Sequence, residues 1–465
     1  MDLFRKKVIV DPSDTGESLR KCLSAFDLTL MGVGAVIGAG VFVLTGFVAA
    51  TQAGPAIIFS FILAGLACAF AALSYAELAA SIGGCGSAYG YAYAGFGEII
   101  AWIVGWDLLL EYSITVSTVS VGWSGYFNDL LLALKIHIPP SLLTAPHNGG
   151  TINILSFTII LFLSSFLMLG VKSSSRLNNI MVFIKLAVIF LFIAVASTEF
   201  HLSNWTPFAP YGWSGVMNGA SLIFFAYVGF DAVSTAAEEA MNPQRDLPLG
   251  LIGALAICTT IYILVAGLLT GIAPYTTLNV TSPISHSLLI LGHKVVASLI
   301  GVGAVAGLTT VMLVLFYGLS RIFFAMARDG LLPRFFAVTG KKSKAPIRII
   351  ILCATVMAPI AGLVPISNLA ELVNIGTLFA FIIVCAGVIL LRHTQPELVR
   401  PFKTPFMPLI PLLGILSCSY LIYHLPIITI ERFGLWMSIG IVVYFIFGRK
   451  NSALNKGNIA NRGVN

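Results

Sequence analysis

The sequence predicts an all-α, polytopic membrane protein of twelve transmembrane helices. Three observations predict it. Of the 465 residues, 58% are hydrophobic and only 10% charged, and the mean hydropathy is +0.97. Soluble domains carry about 25% charged residues. Twelve apolar stretches, near or above the ~20 residues a bilayer requires, fall at 25–50, 55–81, 97–124, 152–170, 178–200, 214–239, 249–272, 296–327, 347–364, 368–391, 406–424 and 431–447. Finally, 22 of the 26 Lys and Arg lie in the two tails, the even-numbered loops or the span ends that adjoin them. Three (Lys135, Lys294, Arg432) lie in or at the edge of odd-numbered loops, and Lys185 lies inside a span. That bias places both termini in the cytoplasm, with the chain in the cell membrane. It also accounts for the net charge of +7. No basic face is gathered for nucleic acid, so the bilayer is the expected macromolecular environment. Seven cysteines are scattered without a CxxC pair and read as small apolar residues.

Residues 1–24 form a polar, basic leader with no small-residue cleavage site, expected to stay on the chain. Span 1 then carries Gly32 to Phe42, GVGAVIGAGVF, with glycine at 32, 34, 38 and 40. Glycine costs about 1 kcal/mol per residue inside a helix. Such a stretch either opens the helix, or packs it closely against a neighbour through small residues.

Span 2 ends near Glu77 and is followed by a Gly/Ser loop, Ser81 to Ser87. Span 3 carries Asp107 and Glu111, one turn apart on one face. Glu111 either lines a binding site, where it favours a cationic side chain, or pairs internally. The connector from Asn128 to Thr151 is plain, and Lys172 and Arg176 mark the next inner loop. Lys185 lies about seven residues, roughly 10 Å, into span 5. It either snorkels to the interface or is a desolvated amine that exchanges a proton.

Span 6 places Gly229 and Asp231 mid-membrane, after Phe224-Phe-Ala-Tyr-Val. A charge there costs at least about 2.5–3.5 kcal/mol. Asp231 recovers that cost if it caps a restarted helix at the amides of Val233 or Ser234. The span stops in Glu238-Glu239 and the prolines 243 and 248. After span 8, Arg334, Lys341, Lys342, Lys344 and Arg348 read as inner-leaflet contacts. Glu77 and Glu371, near span ends, read as structural. Residues 449–465 form a cytoplasmic tail.

Spans 1 and 6 are both interrupted, and each opens a unit of five spans. An odd number inverts the second unit, giving repeats at 25–200 and 201–391 with two further helices at 392–448. The second half of span 1 begins near Ala39. The N–H groups of Ala39, Gly40 and Val41 form the positive end of a half-helix dipole, an anion site. Carbonyls are offered near Val36 and at Phe225 to Val228. One side suits a carboxylate and the other an ammonium, the two charges of an α-amino acid. The candidate substrate-binding residues are Val36, Ile37, Gly38, Ala39, Gly40, Val41, Phe225, Ala226, Tyr227 and Val228, with Glu111 beside them. Phe225 and Tyr227 either gate the ligand or pack as core.

GVGAVIGAGVF, the GWDLLLEY of span 3, FFAYVGFDAVSTAAEEAMNPQRDLP and RDGLLP resemble the amino acid–polyamine–organocation superfamily. Within it they look most like the bacterial relatives of the cationic amino acid transporters. The resemblance runs from about Ser18 to Lys450. It implies the leucine-transporter fold, a five-plus-five inverted repeat with two extra spans. It implies that Val36–Val41 and Phe225–Val228 hold the substrate backbone. It also implies that Lys185 sits where sodium sits in sodium-coupled cousins, so that the partner ion is a proton. The chain departs at Ala39, where the family often has Ser or Thr, which leaves the backbone donors alone there.

The expected function is import of a small neutral or cationic L-amino acid by proton symport with alternating access. An amino acid or polyamine exchanger is the alternative, and a non-transporting sensor on the same scaffold a further one. No nucleophile–base pair, metal-ligand cluster or cofactor motif points to an enzyme. The identity of the amino acid, the oligomeric state and any accessory subunit stay open at this level.

Overall fold

The computed structural model describes residues 5, 23–82, 87–169, 175–231, 233–234, 240–338 and 345–454. Residues 1–4 and 6–22 of the leader, most of the Ser81–Ser87 loop, Lys172, Glu238, Glu239, Lys341, Lys342, Lys344 and most of the tail lie outside them. Among the described residues every regular element is helical. An isolated parallel bridge, Leu23 to Ala240, is the one β feature.

The twelve expected spans are present. Span 1 is Ala25–Val36, then helical turns from Gly40 through Ala53. Spans 2 to 5 are Ile57–Ile82, Glu98–Ala133, Ile154–Met168 and Ser175–Thr198. Span 6 opens with Gly212–Ile223 and a tighter turn, Phe224–Tyr227. Spans 7 to 11 are Pro243–Ile272, Lys294–Arg328, Ile347–Leu363, Ile366–Thr394 and Leu409–Tyr423. Span 12 is Ile427–Val443, continuing to Asn451. Span 3 runs nine residues past its expected end at 124, straight through Gly125, and stops short of Lys135, at φ 63°. Two short helices, Ser87–Gly95 and Pro283–Ile290, lie where the sequence suggested only loop.

Span 1 starts at Ala25 because Ser24 and Asp27 form a reciprocal cap. The Asp27 N–H donates to Ser24 Oγ at 3.3 Å, and the Ser24 N–H to Asp27 Oδ2 at 3.0 Å. The interior is built around spans 3 and 10, whose apolar windows are each 67% buried, against 17% for span 12. Spans 2 and 10 are locked at one end by Glu77. It accepts from Arg392 Nε and Nη2 at 2.9 and 2.7 Å, and from the Thr404 N–H at 2.7 Å. The described cysteines, 68, 258, 353, 385 and 418, are buried and unpaired.

Candidate functional site

Both interruptions are real breaks in the helix. In span 1 the helix ends at Val36, and Ile37 is extended at φ −71°, ψ 98°. Helical geometry resumes at Ala39, φ −59°, ψ −22°. In span 6 the Phe224–Tyr227 turn gives way to extended Val228, ψ 134°, and to Gly229 at φ 104°. That left-handed value is one glycine adopts without a Cβ penalty. Beyond it, Ser234 Oγ donates to the Asp231 carbonyl at 2.6 Å.

The two breaks touch. A Cβ on Gly40 would stand 2.3 Å from Ala226 Cα. Only glycine at 40 lets the backbones come this close. Between them lies a cavity of about 10 Å³ lined by Val36, Gly38, Ala39, Gly40, Phe225 and Val228. That is about one water-sized sphere, so the site is shut in this conformation. Ala35 of span 1, Thr115 and Val119 of span 3, and Val311 and Leu315 of span 8 complete the wall. Thr115 is the one hydroxyl-bearing residue of that wall, and its Oγ1 donates to Glu111 O at 2.6 Å.

The carbonyls of the first break are held by the protein's own donors. Lys185 Nζ donates to Gly34 O at 2.6 Å and to Ile37 O at 3.1 Å. Lys185 is 1% exposed, so it does not snorkel. Its ammonium replaces the bonds those carbonyls lose where the helix opens. The Tyr262 hydroxyl of span 7 lies 2.9 Å from both Val36 O and Ala226 O, bridging the breaks. Tyr126 Oη donates to Phe42 O at 2.7 Å, just inside the second half of span 1.

The other expected site residues fall beside the cavity. Ile37, Val41 and Ala226 shape the breaks without lining it. Tyr227 turns away: its hydroxyl donates to Phe61 O at 2.8 Å, and its ring packs on Tyr262 and Phe61. Phe225 lines the cavity. Glu111, 2% exposed, sits one turn before Thr115 and off the cavity. Thr377 lies beside it, with Asp107 and Asp231 within electrostatic range.

The family model described as amino acid permease matches residues 23–447. The chain belongs to the amino acid permease family. It is 50% identical over 462 residues to the branched-chain amino acid permease BcaP of Bacillus subtilis, covering 98% of this chain and 99% of the relative. It is 49% identical over 458 residues to the methylthioribose transporter of the same organism, with 98% and 99% covered. The chloroplastic cationic amino acid transporter 9 of Arabidopsis thaliana is 41% identical over 387 residues, 82% of this chain and 68% of that protein. This permease is therefore a multi-pass membrane transporter and not an enzyme.

Five cavity residues, Ala35, Thr115, Val119, Val311 and Leu315, were missed from sequence, since apolar spans 1, 3 and 8 offer no local mark for them. Tyr262 carried a mark: a phenol in the middle of an apolar span needs a partner for its hydroxyl.

Proposed function

We propose that this permease imports a neutral L-amino acid with an apolar side chain, coupled to a proton, by opening and closing around the two breaks. The observation that carries the reading is Lys185 Nζ on the carbonyls of Gly34 and Ile37. A buried ammonium replaces a metal ion's charge at an opened helix, and unlike a fixed cation it gives up its charge by losing a proton. Loss of that proton removes two charge-assisted bonds and loosens the first break, which links substrate release to proton release. The substrate carboxylate meets the N–H groups of Ala39, Gly40 and Val41. Its ammonium meets carbonyls at the end of each broken half.

Val119, Val311, Leu315 and Phe225 favour an apolar side chain over a cationic one. The branched-chain relatives support that choice. The methylthioribose relative supports a second reading, a neutral thioether solute against the same apolar wall. In the first reading, residues 25–200 and 201–391 are the two inverted halves, the termini are cytoplasmic, and the membrane is the cell membrane.

Uptake into proteoliposomes with an inside-alkaline pH gradient tests this. Wild type is expected to accumulate leucine or valine ahead of arginine and methylthioribose. Lys185→Ala is expected to lose gradient-driven accumulation while keeping some substrate binding. Unchanged gradient-driven uptake in Lys185→Ala would remove the lysine from the coupling step. Accumulation of methylthioribose alone would favour the second reading.

A further inference from the structure

Room for a solute exists in this conformation at the far ends of the broken spans rather than between the breaks. A cavity of about 260 Å³ lies where the end of span 1, the first half of span 6, the start of span 10 and the end of span 11 meet. That is more than twenty times the space between the breaks, enough for a small organic solute. Under the topology proposed above, this end faces outward.

Its lining is of two kinds. Gln52, Asn218, Glu371 and His424 are polar; Leu222, Leu425 and Pro426 are apolar. Thr429 Oγ1 donates to Glu371 Oε2 at 2.7 Å, which fixes the carboxylate and leaves acceptor capacity on it. His424 Nδ1 lies 3.1 Å from Asn218 Oδ1. Nδ1 is engaged there, and Nε2 is buried without a hydrogen-bond partner. The Glu371 carboxylate suits an ammonium group, the unpartnered imidazole nitrogen offers a further polar contact, and the Gln52 carboxamide can donate to a carboxylate. Arg432 lies within electrostatic range of Glu371. The local charge is therefore balanced, which favours a zwitterion over a net cation. The apolar residues fit an aliphatic side chain.

The cavity is wired to the gate. Asn374, one turn after Glu371, donates through Nδ2 to Ser221 O at 2.7 Å and Leu222 O at 2.9 Å. Leu222 lines the cavity and lies three residues before Phe225, which lines the central one.

We propose that this cavity is an outer recognition site that takes a zwitterionic amino acid with an apolar side chain before the central site opens. The proposal rests on the transport reading and its topology. The test is influx of radiolabelled leucine into right-side-out membrane vesicles, and efflux from preloaded ones. Glu371→Gln keeps an acceptor for Thr429 and removes the charge. The KM for influx is expected to rise about tenfold with the maximal influx rate unchanged. A site crossed on the way in is crossed on the way out, so the ratio of maximal rate to KM for efflux falls by the same factor. His424→Gln is expected to show the same change. An unchanged thermal unfolding temperature in each variant reports that it is folded. An unchanged influx KM in both variants, or a fall in maximal rate at unchanged KM, would overturn the outer site while leaving the transport reading intact. Wild-type vesicles that accumulate no amino acid would instead overturn the transport reading, and the outer site with it.

Discussion

The two broken spans solve the same problem with different chemistry. Each exposes carbonyls where the helix opens, and each must satisfy them inside a membrane. Span 1 gives two of its carbonyls to an ammonium, Lys185 on Gly34 and Ile37. Span 6 relies on neutral groups. Tyr262 reaches Ala226 O at 2.9 Å, and the Val228 N–H bonds back to Phe225 O at 3.2 Å. In the proposed mechanism the first break therefore responds to a proton and the second does not. The lesson is that two helix breaks alike in backbone can be satisfied by groups of different charge. Substitutions at each break sharpen or destroy that contrast.

The largest effect is expected where the breaks meet. In Gly40→Val, the new Cβ would stand 2.3 Å from Ala226 Cα and 2.4 Å from Ala226 Cβ. Backbone cannot yield as a side-chain tip does. Transport is expected to fall to background, with about 1–3 kcal/mol of stability lost to overpacking. Gly38→Ala is the control: its Cβ would meet Val311 at 3.6 Å, ordinary contact. Uptake and thermal unfolding of the two variants side by side decide whether the close approach matters. Equal behaviour would show that it does not.

Next comes the contrast itself. Lys185→Met keeps most of the stem volume and removes the ammonium, leaving Gly34 O and Ile37 O without their donor. Its uptake is expected to lose dependence on external pH as well as speed. Tyr262→Phe leaves the Val36 and Ala226 carbonyls without the bridging hydroxyl, at a cost of about 1–3 kcal/mol for buried unsatisfied groups. Its uptake is expected to slow by roughly an order of magnitude while the pH profile keeps its shape. A shifted profile in Tyr262→Phe, or an unshifted one in Lys185→Met, would break the assignment of proton control to span 1 alone.

Much of this was legible in the sequence, for physical reasons that differ by residue. Glycine spacing at 32 to 40, and Gly229 next to Asp231, announced the breaks, because backbone weakness is a local property. The structure ends the first half of span 1 at Val36 and resumes it at Ala39, where the glycine pattern put the opening. Lys185 stood out because an isolated charge inside a span needs a reason. What stayed hidden depends on packing between spans. Nothing local marks Val311 or Leu315 as cavity wall and their apolar neighbours as core. Likewise nothing local turns the Tyr227 ring toward Phe61 rather than the cavity. Glu111 was legible as an intramembrane ion, but its place one turn off the cavity follows from the register of span 3 against spans 8 and 10.

Tyr227→Phe is the mildest test, and it separates two roles for one ring. If Tyr227 gated the substrate with its hydroxyl, the variant would change KM. In the structure that hydroxyl donates to Phe61 O at 2.8 Å, on the span 2 side, and the ring is edge-on to Tyr262 and Phe61. The phenyl ring keeps those contacts, so the loss is one buried neutral hydrogen bond. An isolated bond of that kind contributes about 0.5–1.5 kcal/mol. A small drop in thermal stability with KM and pH profile unchanged is therefore expected. A changed KM would move Tyr227 into the substrate path. The neutral clamp on span 6 would then take part in recognition, and the contrast between the two breaks would narrow.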